Sequence, residues 1–209
     1  MTKRQLAIIE LLPTCNVLCD VGCDHGIIGA QALATNKAKK VIFTDISAPS
    51  LNKARLLCQN VNLTNCEFIC QDGLGNIACD CAVIGGMGGL EILDILRQAT
   101  TLPEMLLLQP MRSLETLRQE IIKNYKILVD KIVFDKKYYN LLLLVKGSDS
   151  LTHSELIFGR SNINTNNPDF KIYLEHELKK CDTILQKTSL NNVISRREQI
   201  LLLLNKEQI

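Results

Sequence analysis

Five unbroken apolar runs constrain this chain more than any other feature: NVLCD (16–20), KVIFTD (40–45), CEFIC (66–70), CAVIG (81–85) and EMLLLQ (104–109). They are rich in Val, Ile and Leu and do not alternate with polar residues, so each is covered on both faces. The gaps between them leave room for a helix. Strands of this kind joined by crossover helices make a parallel sheet wrapped on both sides, a doubly wound α/β fold. The intervening helices fall at 27–36, 90–99 and 113–124. A further helix starts at Ser47 or Ser50, with Leu51, Ala54 and Leu57 or Cys58 on one face.

After residue 125 the rhythm changes. KILVDKIVFD and YYNLLLLVKG are separated only by Lys136 and Lys137, too close for a crossover helix, so they pair antiparallel. The reading is a Rossmann-like sheet of seven strands, mostly parallel, with an antiparallel last strand. Residues 159–168, GRSNINTNNP, have linker composition, which divides the chain into 1–158 and 159–209. Beyond them, apolar positions near 170, 174, 178, 181 and 185, then at 193, 200, 201 and 204, flank SLNN. That pattern is two antiparallel helices, a coiled-coil-like appendage.

Composition excludes some classes. With 46% hydrophobic residues among 209, the chain has ample material for a core and is not a disordered segment. Lys and Arg number 24 against 22 Asp and Glu, so attraction to nucleic acid must come from local clusters: Lys37/Lys39/Lys40, Arg112/Arg118/Lys123/Lys126, Lys131/Lys136/Lys137 or Lys179/Lys180/Arg196/Arg197. The first apolar stretch is broken by Glu10 and Pro13, which leaves no signal or membrane segment and makes a cytoplasmic protein without a membrane partner the expectation. The nine cysteines sit mostly inside apolar runs, and their spacings fit no ligand framework, so no metal is expected.

The chemistry concentrates where strands end. CDVGCDHG (19–26) closes the first run with Asp20, Gly22, Asp24, His25 and Gly26, then opens a helix. Glycines there bring backbone N–H groups and a helix N-terminus close to a ligand. The spacing is D-x-G-x-x-x-G rather than the dinucleotide G-x-G-x-x-G, and two carboxylates repel a pyrophosphate. They suit an ammonium or sulfonium charge. Asp45 ends the second run, placed to accept from two ribose hydroxyls, and Asp72-Gly73 ends the third, placed to meet an adenine amino group. The fourth run opens into GGMGG (85–89), whose glycines supply no side chain and imply positive φ or close backbone approach to a ligand. The fifth ends in Gln109-Pro110, an amide able to bond a planar edge.

Together these residues resemble the class I S-adenosylmethionine-dependent methyltransferases and, more narrowly, the bacterial tRNA (adenine(22)-N1)-methyltransferase family. The resemblance is carried by Lys3-Arg4, Asp20 to His25, Gly85 to Gly89, Leu108-Gln109-Pro110, Phe158-Gly159 and the paired-helix tail, from about residue 3 to the end. Cys23 and Gly26 stand where the family pattern has Ser and Ala. The resemblance implies S-adenosylmethionine as cofactor, held by Arg4, Asp20, Gly22, Gly26, Asp45, Ile46, Asp72, Gly73, Gly85 and Met87. It implies tRNA as partner, its adenine received by Gly86, Gly88, Gln109, Pro110 and Arg112, and methyl transfer to N1 of that adenine in the D-arm region. On this reading 1–158 is the cofactor-binding catalytic domain and 159–209 a linker and helical hairpin that binds tRNA. Asp24 either stabilises the cationic methylated base or accepts a proton from its exocyclic amine; His25 orients Asp24, contacts the base, or only starts the helix. Two other readings stand beside this one: the same cofactor acting on a small molecule or protein, and a nucleotide-binding protein without chemistry. The leucine stripe of the tail suits a homodimer, and a monomer stands equally.

Overall fold

The structure is a computed structural model and describes residues 1–165 and 167–206. The five runs are strands: β1 (Cys15–Val21), β2 (Ala38–Asp45), β3 (Cys66–Cys70), β4 (Cys81–Met87) and β5 (Met105–Pro110). The two later runs are β6 (Tyr125–Asp135) and β7 (Lys137–Lys146), turning at Lys136 with φ 63. One sheet holds all seven in the order β3-β2-β1-β4-β5-β7-β6. Only β7 is reversed, inserted between β5 and β6 because a one-residue turn leaves no room for a crossover. The seven-stranded, mostly parallel sheet with an antiparallel last strand is as read from the sequence.

Consecutive strand residues explain why the runs do not alternate. Leu18, Val41, Phe43, Val83 and Leu107 point to one face, beneath α1 (Lys3–Leu11), α2 (Ile27–Ala34) and α3 (Ala48–Asn60). Their neighbours Cys19, Ile42, Ala82, Ile84, Leu106 and Leu108 point to the other, beneath α4 (Gly89–Gln98) and α5 (Leu114–Ile121). Each buried Leu or Ile contributes about 1.5–3 kcal/mol, so both layers are anchored many times over. Ser47 caps α3, its hydroxyl accepting from Ser50 N at 3.3 Å, and Leu51, Ala54 and Cys58 form the buried stripe. α2 lies close on the sheet because residue 29 is glycine; a Cβ there would stand 2.4 Å from the Phe43 ring. Helix α1 lies outside the helices that the apolar spacing predicts. Its signal is the capping box Thr2-x-x-Gln5, in which each side chain satisfies the other's backbone N–H.

The tail folds as α6 (His153–Phe158), α7 (Arg160–Asn164), α8 (Pro168–Leu185) and α9 (Asn191–Lys206). The two long helices are those expected, and they bury Phe170, Leu174, Cys181 and Ile200 against Ile132 of β6. Described residues of the Asn-rich stretch pack on β6. Asn162 is buried, accepts from Ile132 N at 2.8 Å and donates to Phe158 O at 2.8 Å. Asp130 N donates to Ser161 Oγ at 2.9 Å, and Asn167 donates to Ile132 O at 3.0 Å. β6 is an edge strand, and these short polar side chains satisfy backbone groups that a further strand would otherwise take. Beneath them, Arg118 and Asp130 form a fully buried pair at 2.6 and 2.8 Å, and Arg118 Nη1 also donates to Leu156 O and Ile157 O. Gly159, at φ +86, is pressed on that pair: a Cβ would lie 2.7 Å from the Asp130 carboxyl carbon. The Phe158-Gly159 motif is thus a structural rivet between tail and sheet. Among the described residues no helix is long and apolar enough to cross a membrane.

Candidate active site

The winding direction reverses between β1 and β4, and at that switch point the carboxyl ends of the strands open into a cavity of about 840 Å³. The turn after β1 carries three left-handed residues, Gly22 (φ 64), Asp24 (φ 46) and Gly26 (φ 67). Gly22 lies against the end of the Met87 side chain, whose methyl a Cβ would meet at 2.2 Å, and its left-handed backbone strains any other residue there. Asp45, at the end of β2, clamps this turn: its Oδ2 accepts from Asp24 N at 3.0 Å and its Oδ1 from Ser47 N at 2.8 Å. Each carboxylate oxygen keeps a further acceptor site.

Asp20 lies at the floor of the cavity, 5% exposed, with Oδ2 accepting from Gly29 N at 2.9 Å. Burial pushes its carboxyl up to about 7 against the opposing Gly29 N–H, and the neighbouring Asp45 adds to the rise. Asp24 and His25 stand at the rim, both exposed, with 3.5 Å between carboxylate and Nε2 and with Lys53 Nζ 4.0 Å from the same carboxylate.

The glycines of 85–89 have different tasks. The register of β4 on β5 shifts between Gly85 and Met87, a bulge that leaves Gly86 at φ 81, where an added Cβ would meet nothing within 4 Å. Gly86 therefore fronts open cavity. Gly89 is a packing glycine, set against backbone, while Gly88 meets movable side chains, that of Arg112 nearest. A Cβ on Gly89 would stand 2.5 Å from Ser113 O, and one on Gly88 2.7 Å from Arg112 Nε. Gln109 pairs with Gly85 across the strands and is part of the cavity lining.

Of the residues singled out in the sequence, the cavity brings together Arg4, Asp20, Gly22, Asp24, His25, Asp45, Ile46, Asp72, Gly73, Gly85, Gly86, Met87 and Gln109. Gly26, Gly88, Pro110 and Arg112 are not in its walls. Gly26 starts α2 hard against Ala54, Pro110 is buried, and Arg112 pairs with Glu91. The sequence reading missed Gln5 and Ile8 of α1, Gln71 after β3, and the face of α4 that carries Glu91, Asp94, Ile95 and Gln98. The signal of the α4 face is positional: offsets of three, four and seven residues lie on one side of a helix.

The lining holds six carboxylates, Asp20, Asp24, Asp45, Asp72, Glu91 and Asp94, against a single guanidinium, Arg4. Apolar surface comes from Ile8, Ile27, Ile28, Val83, Ile95 and Ile46, the last 74% exposed. This arrangement suits a ligand that joins a positive charge to a flat apolar ring and rejects a phosphorylated one.

The comparisons with known proteins agree. The profile of a family described as a methyltransferase domain matches residues 1–142. A Mycoplasma pneumoniae protein provisionally named a tRNA methyltransferase is 32% identical over 155 residues, 69% of this chain and 72% of its own length. The tRNA (adenine(22)-N1)-methyltransferase of Bacillus subtilis is 29% identical over 156 residues, 70% of this chain and 66% of its own. The structure of M. capricolum TrmK in complex with S-adenosyl-homocysteine superposes with a TM-score of 0.85 at 26% identity, covering 98% of both chains. The chain belongs to the methyltransferase-domain family, and within it to the tRNA methyltransferase group that its strand-end motifs resemble.

Proposed function

We propose that the protein transfers a methyl group from S-adenosylmethionine to N1 of an adenine in tRNA. The observation that carries this reading is the cavity at the switch point, where six carboxylates surround a glycine-lined opening. The reaction named for the B. subtilis relative and the product bound by the M. capricolum one support it.

The residues present fit the cofactor. Asp20 would offer a buried carboxylate to a cationic ligand, Asp45 would accept from ribose hydroxyls, and Asp72 would accept from the cofactor's adenine amino group. Ile46 and Ile95 supply apolar cover. S-adenosylmethionine supplies an electrophilic sulfonium methyl. The rest is positioning. Adenine N1 already carries a lone pair, so this chain needs no strong base before attack and gains most by holding the base in line. N1 lies on the Watson–Crick edge, so the adenine must be unpaired or turned out of its stack to enter between Gly86 and Gln109. Asp24, at the rim, stabilises the cationic product base or takes a proton from its amine, and His25 steadies Asp24. The catalytic machinery lies within 1–158, while α8 and α9, with Lys179, Lys180, Arg196 and Arg197, supply the tRNA-binding surface.

The deciding experiment incubates the protein with unmodified tRNA and methyl-labelled S-adenosylmethionine, then locates the label by digestion and mass spectrometry. The expected product is 1-methyladenosine. Label on another nucleotide, on protein, or on neither overturns the assignment. In the same assay Asp24→Asn should keep cofactor affinity and slow single-turnover transfer about a hundredfold.

A further inference from the structure

The Arg4 guanidinium makes contacts that no cofactor role explains. Its Nη1 donates to Gln109 Oε1 at 3.0 Å, and its guanidinium carbon stands 5.0 Å from the centre of the Tyr139 ring. Its backbone N–H is tied to Asp135 Oδ2 at 2.9 Å, and the preceding Lys3 is ion-paired to Asp169 at the start of α8, also at 2.9 Å. Residues from β5, β6, β7 and the tail therefore fix where this guanidinium lies.

Gln109 is the cavity-facing partner. It is 2% exposed, and its Nε2 donates to Pro110 O at 3.3 Å and to Met111 Sδ at 3.2 Å. A guanidinium can only donate, so it decides which end of the amide turns toward it. Oε1 faces Arg4, and Nε2 faces away. A thioether is a weak acceptor on a flexible side chain, and Met111 is itself exposed, so one Nε2 hydrogen rests on a partner that is readily exchanged.

We infer that Arg4 is a positioning residue that locks Gln109 as a hydrogen-bond donor toward the incoming base, where a ring nitrogen of the target adenine displaces Met111 Sδ. This rests on the methyl-transfer reading above and adds how the base is read. Adenine keeps two ring acceptors, N3 and N7, when N1 reacts. An amide turned the other way would set Oε1 against a ring lone pair and repel it.

The test uses the full chain with Arg4→Ala, Arg4→Lys and Gln109→Glu. In Arg4→Ala, kcat/KM for tRNA should fall about tenfold, with the dissociation constant for S-adenosylmethionine held within roughly twofold, and Arg4→Lys should recover most of the loss because it still donates. tRNA carrying 7-deazaadenosine or 3-deazaadenosine at the target should cost the wild type a similar factor on one of the two, and cost Arg4→Ala nothing further on that one. Weakened cofactor binding with an unchanged kcat would make Arg4 a cofactor ligand and overturn the inference, as would equal analogue penalties in both proteins. A readout independent of transfer is the nitrogen-15 spectrum of the Gln109 side-chain amide, identified by its loss in Gln109→Glu. Its resonances should move in Arg4→Ala and return in Arg4→Lys, and unmoved resonances overturn the inference even if tRNA proves not to be the substrate. Failure of the wild type to methylate tRNA, with those resonances moving as expected, would instead sink the functional reading alone.

Discussion

A cationic ligand that binds against Asp20 should do so in a pH-dependent way. The Asp20 carboxyl is raised from 3.8 to about 7, first by burial and then by Asp45, with the Gly29 N–H pulling the other way. A ligand bearing a positive charge needs Asp20 ionised. With that pKa, roughly 3% of the free protein is competent at pH 5.5 and about half at pH 7, so the apparent affinity for S-adenosylmethionine should tighten about fifteenfold over that interval. The interval ends below the usual titration of an α-amino group, so the ligand's own charge stays constant. Titration calorimetry across the range measures the affinity, and buffers of different ionisation enthalpy reveal the proton released on binding. The same shift has a stability sign. A carboxyl raised on folding binds protons better in the folded state, so the unliganded protein loses stability as pH rises from about 4 to about 7, and the loss, of the order of 4 kcal/mol, is constant above that. Asp20→Asn should flatten both curves and melt higher than wild type at pH 8. A flat affinity in the wild type, or an unaltered slope in Asp20→Asn, would refute the reasoning.

Further perturbations separate fold from site. Arg118→Met strands Asp130 in the interior and should cost about 3–5 kcal/mol in urea denaturation, much of it regained by adding Asp130→Leu. Gly26→Ala combines a left-handed backbone with a Cβ 2.6 Å from the Ala54 methyl, and should lower stability by about 2–4 kcal/mol. Gly86→Ala meets no atom within 4 Å, so its stability should drop only by about 1 kcal/mol while ligand binding or transfer suffers far more. Lys179→Glu with Lys180→Glu should weaken tRNA binding and reduce its salt slope by about 1.5, leaving cofactor affinity unchanged. An unaltered slope removes these two lysines from the RNA surface.

The sheet was readable because burial on both faces leaves a mark on every strand residue. Leu106, Leu107 and Leu108 turn to alternate sides and are all buried, so the run could hardly be anything but an interior strand. The tail helices were readable through their spacing. Composition does not show that Ser161, Asn162 and Asn167 bond β6, because asparagine and serine serve a surface loop and a sheet edge equally well: the same short side chains bond water in one case and the open backbone of β6 in the other. Only the identity of the partner distinguishes the two, and for Asn162 that partner, Ile132, lies 30 positions away in the sequence.

The site divides along the same line. Residues that line the cavity from the ends of strands were legible, since a doubly wound sheet gathers those ends wherever the loops go. Glu91, Asp94 and Gln98 line it from the side of a helix, where polar residues at helical spacing ordinarily mean a solvated face, and nothing short of the cavity itself tells one from the other. The glycines were ambiguous for a related reason. Gly86 and Gly89 look alike in the sequence, yet an added methyl would meet open cavity at one and a backbone oxygen at the other. Their substitution therefore tests the site more sharply than any carboxylate exchange: if Gly86→Ala binds ligand and transfers methyl as wild type does, the opening between Gly86 and Gln109 is not where the base enters, and the catalytic geometry must be sought at another part of the cavity.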